Sequence, residues 1–467
     1  VSTIRKISSF FTKFGKASSD WVQKYLPDAF IFALLLTFAT MILAFIFTEK
    51  TVFEIAGHWS QGFWFVIEFS MQSSLALITG WILADSPPVK KILNKIARKP
   101  SNQKQAILIT AIVGQLLGLF HWGVVLIGGA IFARSVGIAM DEKDISVHYP
   151  LLVATAYAGL LPWHQGLSAA APLLVATPDH FLVDQIGSIP ISETIFNPVN
   201  IILVLGLVAL TIVILPMMAP DDEDDIISAS KSKLEGARAR GGSNQQSQHI
   251  EDSSKYKEFL MRNRIPAVGL GVLIWVYLTY LFITNPFMEV FNINIFITVM
   301  FGLGLILHQV LKSYIGVLKD AIKGASQIII QFQFYGGIMG IMAWSGLGEL
   351  IAETFVEIAT GETWYLFSFL SSGIVNFFVP SGGGQWVVTG QVLSDATQAI
   401  QGAETNLMMI AFTMGDQWTN MIQPFWAIPV ISIADLSIRD VMGYSAVIFV
   451  FSGIFMMIGT LAMGVLL

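Results

Sequence analysis

The 467-residue chain has no cysteine, so disulfides, thiolate metal sites and thiol catalysis are excluded. Charge is scarce as well. Asp, Glu, Lys and Arg make up 12% of residues, about half of the ~25% usual in a soluble domain. No HExxH motif occurs and no catalytic triad is evident, which argues against an enzyme. What fills the sequence is apolar residues, at 54%, with a mean hydropathy of +0.67. Many apolar runs reach the roughly 20 residues that cross a bilayer. The chain reads as an all-α polytopic membrane protein. Its net charge of -6 carries little, because orientation depends on where Lys and Arg sit.

Residues 1–28, with Arg5, Lys6, Lys13, Lys16 and Lys24, lack a signal-peptide core. They read as an amphipathic segment on the cytoplasmic membrane face. Spans are expected near 29–47 and 60–84, the second carrying Glu68. A basic loop with Lys90, Lys91, Lys95, Arg98, Lys99 and Lys104 then holds both ends of this pair in the cytoplasm. Residues 105–140 are apolar but interrupted by GLFHWG, and read as a re-entrant hairpin or as two short crossings. A span over 150–177 breaks at PWHQGLS, and a span at 197–218 returns the chain to the cytoplasm. The linker 219–265 opens with Asp221, Asp222, Glu223, Asp224 and Asp225. It is too charged to bury much apolar surface and is expected to be disordered and cytoplasmic.

Spans near 266–284, 293–311 and 326–348 follow, with the basic patch Lys312, Lys319 and Lys323 before the third. An outside acidic loop is expected at Glu349, Glu353, Glu357 and Glu362. A second hairpin candidate, 363–402, a second broken span, 407–432, and a final span at 441–463 complete the chain, with Leu467 outside. The order of parts in 29–218 recurs in 266–467, with the flanking charge reversed. An inverted repeat whose broken helices meet at the bilayer midplane is the signature of a secondary transporter. The count is nine spans and two re-entrant hairpins.

The centre of this arrangement is NFFVPSGGGQWVVTGQ, residues 376–391. Pro380 and three consecutive glycines cannot continue a helix. Bare backbone at membrane depth survives only inside protein or beside a watery cavity; a water-facing loop is the alternative. No Lys or Arg lies in the breaks, so an anion must be held by other donors. Ser381, Gly382, Gly383 and Gly384 offer backbone N–H groups. Ser168, Thr419, Asn420 and Gln165 add side-chain donors, and Trp122, Trp163, Trp386, Trp418 and Trp426 would wall an alkyl tail. Asp416, Asn420 and Gln423 share a helical face by spacing, and with Asn376 would supply oxygens to a Na+ ion. Interhelical hydrogen bonding and helix capping are the structural alternatives for these residues. His164 would bind the carboxylate or carry a proton, and Glu68 is the other proton candidate. Each also has a plain reading, as a packed histidine and as an interfacial carboxylate.

The stretches YLPDAF (25–30), HYPLLVATAYAGLLPWHQGLSAAAPLLVATPDH (148–180), NFFVPSGGGQWVV (376–388) and GDQWTNMIQPFWAIP (415–429) resemble the bacterial short-chain fatty acid transporter family of the ion transporter superfamily. The resemblance spans nearly the whole chain apart from the linker. One departure is His121-Trp122-Gly123, where the family form is Asn-Trp-Gly. The resemblance implies a homodimeric elevator-type carrier in a bacterial or archaeal plasma (inner) membrane. A fixed scaffold would hold the dimer while a transport domain slides. It further implies uptake of short monocarboxylates such as acetoacetate, butyrate and acetate with Na+ or H+, and a cation ligand at His121 and Gly123. An antiporter of the same superfamily would need two membrane carboxylates; Asp416 and Glu68 lie in different motifs. No cofactor beyond the coupling ion and no nucleic-acid partner is expected.

Overall fold

The computed structural model describes residues 29–220, 226–229, 255–376 and 379–467. The N-terminal segment 1–28, the acidic run 221–225 and residues 230–254 of the linker lie outside them. The described residues are all-α. Among the described residues six helices are long and apolar enough to cross a membrane: Ile67–Asp85, Gln103–Phe120, Trp122–Asp141, Pro198–Met217, Arg264–Thr284 and Ile438–Leu466. The protein is a multi-pass membrane protein.

The first half runs α1 (Ala29–Phe47), α2 (Val52–Phe65), α3 (Ile67–Asp85), α4 (Pro87–Ala97), α5 (Gln103–Phe120), α6 (Trp122–Asp141), α7 (Tyr149–Ala158), α8 (Ala170–Val175) and α9 (Pro198–Met217). A single π-helical stretch, Val125–Gly129, lies within α6. Side-chain caps fix the starts. Thr51 and Glu54 form a capping box on α2, Asn102 caps α5, and Asn197 caps α9 with Pro198 in its first turn. The second half runs α10 (Lys255–Arg262), α11 (Arg264–Thr284), α12 (Ile293–His308), α13 (Leu311–Ser345), α14 (Leu347–Ile358), α15 (Trp364–Asn376), α16 (Gly382–Ala399), α17 (Thr405–Thr419), α18 (Pro424–Ala434) and α19 (Ile438–Leu466).

Four expectations change. The span 60–84 is two helices that meet at Val66, whose φ of -95° and ψ of 11° are not helical. The basic patch Lys312, Lys319 and Lys323 does not precede the third span but lies within the same 35-residue helix, α13. The acidic segment at Glu349, Glu353 and Glu357 is the helix α14, as an i, i+4, i+8 spacing allows. The linker is helical at its C-terminal end, where α10 begins at Lys255, and its residues 226–229 pack on the protein. Ile227 N–H donates to His148 Nδ1 (3.2 Å), and Tyr149 N–H donates to Ile227 O (2.8 Å).

At about 1.5 Å per residue, α13 is roughly 52 Å long. It packs along α1, α2 and α3. The approach to α2 is close because a Cβ on Gly62 would lie 2.3 Å from Gly336 O, and small residues let membrane helices touch backbone to backbone. On its other side α13 meets α16. The first helix–break–helix unit meets α3 through α6, the second meets α13 through α16, and α8 of the first broken span touches α12, so α3, α12 and α13 form a wall on this side of the breaks.

Candidate functional site

The second hairpin is antiparallel. Gln385 Nε2 donates to Ser372 O (2.7 Å) and Ser372 Oγ (2.8 Å), and Trp364 Nε1 donates to Thr397 Oγ1 (3.0 Å). The chain reverses between α15 and α16, before Ser381. Ser381 Oγ accepts the Gly384 N–H (3.3 Å) and caps α16. The absent side chains let this tip press on its surroundings. A Cβ on Gly382 would lie 2.3 Å from His164 Cε1, and one on Gly383 would lie 2.4 Å from Phe69 Cζ.

At the first hairpin the helix stops at Phe120 and His121 is extended. His121 Nδ1 accepts the Gly123 N–H (2.9 Å), so Nε2 carries the proton and donates to Ala76 O (2.9 Å). His121 thus caps α6, the work an Asn oxygen does at helix N-termini. Both ring nitrogens are engaged in these bonds, so the ring as placed has no lone pair free for a cation. Trp122 N–H donates to Ser168 Oγ (3.0 Å), tying this tip to the first broken span.

The two broken spans meet through buried polar groups. Ala171 N–H donates to His164 Nε2 (3.2 Å), which leaves the proton on Nδ1, donated to Asp416 Oδ2 (2.7 Å). Both side chains are 0% exposed. Asp416 is therefore not a cap at the outer surface. His164 N–H donates to Gln417 Oε1 (3.2 Å), Gln417 Nε2 donates to Gln165 Oε1 (2.5 Å), and Gln165 Nε2 donates to Asn200 Oδ1 (2.8 Å). Asn376, at the end of α15, holds the second break together. Its Nδ2 lies 2.8 Å from Asp416 O, 2.9 Å from Thr419 Oγ1 and 2.7 Å from Asn420 Oδ1. Gln423 Nε2 donates to Asn376 O (3.1 Å), and Tyr157 OH donates to the carbonyls of Asn420 and Gln423. Asp416 Oδ1 and Asn376 Oδ1 are buried acceptors without a protein donor, and Asn420 Nδ2 is a buried donor without an acceptor.

A cavity of about 600 Å³ lies between these breaks and the wall of α3, α12 and α13. Of the residues singled out in the sequence, Trp122, Gly123, Trp163, Ser168, Ser381, Gly382, Gly383 and Trp426 line it. His164, Gln165, Asn376, Asp416, Thr419, Asn420 and Gln423 do not; they form the layer behind. Gly384 faces Phe332 and Tyr335. Two of the five tryptophans are elsewhere. Trp386 is buried against Phe412, and Trp418 stacks on Phe449 with ring centroids 4.5 Å apart. Glu68 is exposed, lies 3.3 Å from Gln72 Nε2, and is not in the cavity wall. Sequence reading missed the residues of the opposite wall: Ser73, Phe296, Lys323, Gln331, Phe332 and Tyr335. Lys323 is the charged member of the lining among the described residues. It is also largely exposed and lies 3.1 Å from Asp320, so it stands at the mouth. The signal for it was the spacing of Lys312, Lys319 and Lys323, which keeps them near one helical face.

A family model described as short chain fatty acid transporter matches residues 5–463. Two curated relatives, each provisionally named a short-chain fatty acid transporter, are similar over nearly their full length. The Escherichia coli (strain K12) protein is 37% identical over 98% of this chain and 99% of its own. The Haemophilus influenzae (strain Rd) protein is 34% identical over 98% and 99%. Among solved structures, the Alcanivorax borkumensis YdaH transporter aligns with a TM-score of 0.58 at 14% identity, covering 94% of this chain and 98% of that one. At that identity the likeness concerns the fold. The chain belongs to the short-chain fatty acid transporter family, and is thus a transporter of the plasma (inner) membrane rather than an enzyme.

Proposed function

From that membership, we propose that the protein takes up short-chain monocarboxylates, of the acetoacetate, butyrate and acetate class, by cation-coupled symport. One observation carries the reading. The hairpin tip at Ser381–Gly383 faces a cavity walled by Trp122, Trp163 and Trp426, while directly behind it buried acceptors on Asp416 and Asn376 lack donors. The tip offers N–H and O–H groups to one carboxylate, and the tryptophans suit a short alkyl tail. Buried polar atoms without partners are rare enough to need an explanation. A hard cation such as Na+, bound by oxygens including exposed carbonyls at helix breaks, answers that demand. Substrate and cation would then sit on opposite sides of one thin layer, each favouring the other.

The elevator movement belongs to the same reading. Both hairpins and both broken spans form one hydrogen-bonded body that would slide along the α3, α12 and α13 wall. The inverted repeat, nine spans, two re-entrant hairpins and a homodimeric scaffold complete the proposal. A second reading of the coupling ion is favoured by the His164–Asp416 contact, a buried pair able to hold a proton. Counterflow of labelled butyrate in proteoliposomes tests transport, and imposing a Na+ gradient or a pH gradient separately tests coupling. No counterflow would sink the substrate class; acceleration by the pH gradient alone would replace Na+ with H+.

A further inference from the structure

The cavity wall made by α3 and α13 carries two polar groups that the carboxylate site does not use. Gln331 on α13 is 7% exposed, lines the cavity, and its amide nitrogen has no hydrogen-bond partner. Ser73 on α3 also lines the cavity, and its hydroxyl is buried and unpartnered. Neighbouring hydroxyls on α3 show what a helix offers by default: Ser74 Oγ donates to Ser70 O (2.8 Å) and Thr79 Oγ1 to Leu75 O (2.8 Å). Ser73 does not turn back in this way. Ser70 Oγ donates to Ile329 O (3.4 Å), which fixes α3 against α13 beside Gln331. The tip packs on this same wall, Gly383 against Phe69 and Gly384 against Phe332 and Tyr335. The two groups thus line the cavity on the wall against which the tip packs, among apolar neighbours such as Ala76, Leu77 and Phe296.

We infer that Gln331 and Ser73 form a second polar pole, which reads an oxygen on the carbon chain of the substrate and favours hydroxy- or oxo-substituted short acids over plain alkyl acids. The inference rests on the monocarboxylate reading and deepens it. An alkyl tail lying on this wall strips water from polar groups and returns no hydrogen bond, whereas a hydroxyl or keto oxygen offers these donors an acceptor. A site built to bond a substrate oxygen discriminates against the analogue lacking it because its own groups are left unpaired.

The test is competition between butanoate and 3-hydroxybutanoate, measured on the purified full-length protein in proteoliposomes. The parent protein is expected to favour 3-hydroxybutanoate by about tenfold, the size of one hydrogen bond left unmade. In Gln331→Leu the ratio of the two apparent affinities should collapse toward unity. Ser73→Ala, a smaller change that leaves the helix intact, should move it the same way by less. A parent ratio near unity, or variants in which both acids fall in parallel with the ratio kept, would overturn the inference. Uptake of neither acid by the parent protein removes the monocarboxylate reading itself, a different outcome from equal uptake of both.

Discussion

At the scale of single residues, the site depends on side chains that are absent. Gly187, Gly346 and Gly402 are the glycines at positive φ among the described residues, so Gly382 and Gly383 are not required by backbone conformation. They are required by space. In Gly383→Val the first carbon already meets the Phe69 ring at 2.4 Å, and forcing atoms into a packed site costs about 1–3 kcal/mol. The expected result is loss of uptake with normal membrane insertion, read by transport and by surface labelling of the same preparation. Asn376 and Asn420 make a graded pair. Asn420→Ala deletes one acceptor for Asn376 and is expected to weaken cation or substrate binding by roughly 1–3 kcal/mol. Asn376→Ala removes the group that meets Asp416 O, Thr419 Oγ1 and Asn420 Oδ1 together, and is expected to cost more. Titration of both variants with butyrate decides this; equal losses would show that Asn376 is not the centre of the layer.

At the scale of elements, the breaks at 162–168 and 380–384 were legible because Pro, Gly and Trp interrupt apolar runs. What lay across each break was not. The capping role of His121 depends on Ala76 O, 45 residues away in sequence. Val66 gives no local signal for the boundary between α2 and α3. The lysines of α13 read as a patch ahead of a span because helix ends in membranes carry lysines, although their seven- and four-residue spacing is helical. Asp416, Asn420 and Gln423 were grouped as one helical face, yet α17 ends at Thr419; Asn376 brings them together instead. The linker divides the same way. Residues 226–229 bond His148 and Tyr149, while 230–250 have a composition unable to bury apolar surface. Deleting 230–250 is expected to leave butyrate uptake near the parent level, whereas extending the deletion through 226 should lower it by exposing the start of α7. Equal uptake in the two deletions would show that the docked residues carry no load.

At the scale of the whole molecule, the cavity has a direction. Lys323 and Ser326 are exposed and also belong to its lining, so the cavity opens at their end of α13. Lys312 and Lys319 lie on the same end of that helix. Lysines near span ends mark the cytoplasmic side, and Lys90, Lys91, Lys95, Arg98 and Lys99 on and just after α4 mark the same side for the first half. The arrangement described here is thus expected to be the inward-open one, with Lys323 attracting carboxylates at the mouth. The lack of native cysteine makes this directly measurable. In Ser326→Cys the single thiol should react with a membrane-impermeant maleimide in inside-out vesicles and not in right-side-out cells. Saturating butyrate should slow the reaction, since a ligand held at the tip occupies the same cavity. Labelling from the outer face at the same rate would reverse the orientation, and with it the cytoplasmic placement of the linker. Labelling from inside without any effect of butyrate would keep the orientation and remove the cavity as the path the substrate takes.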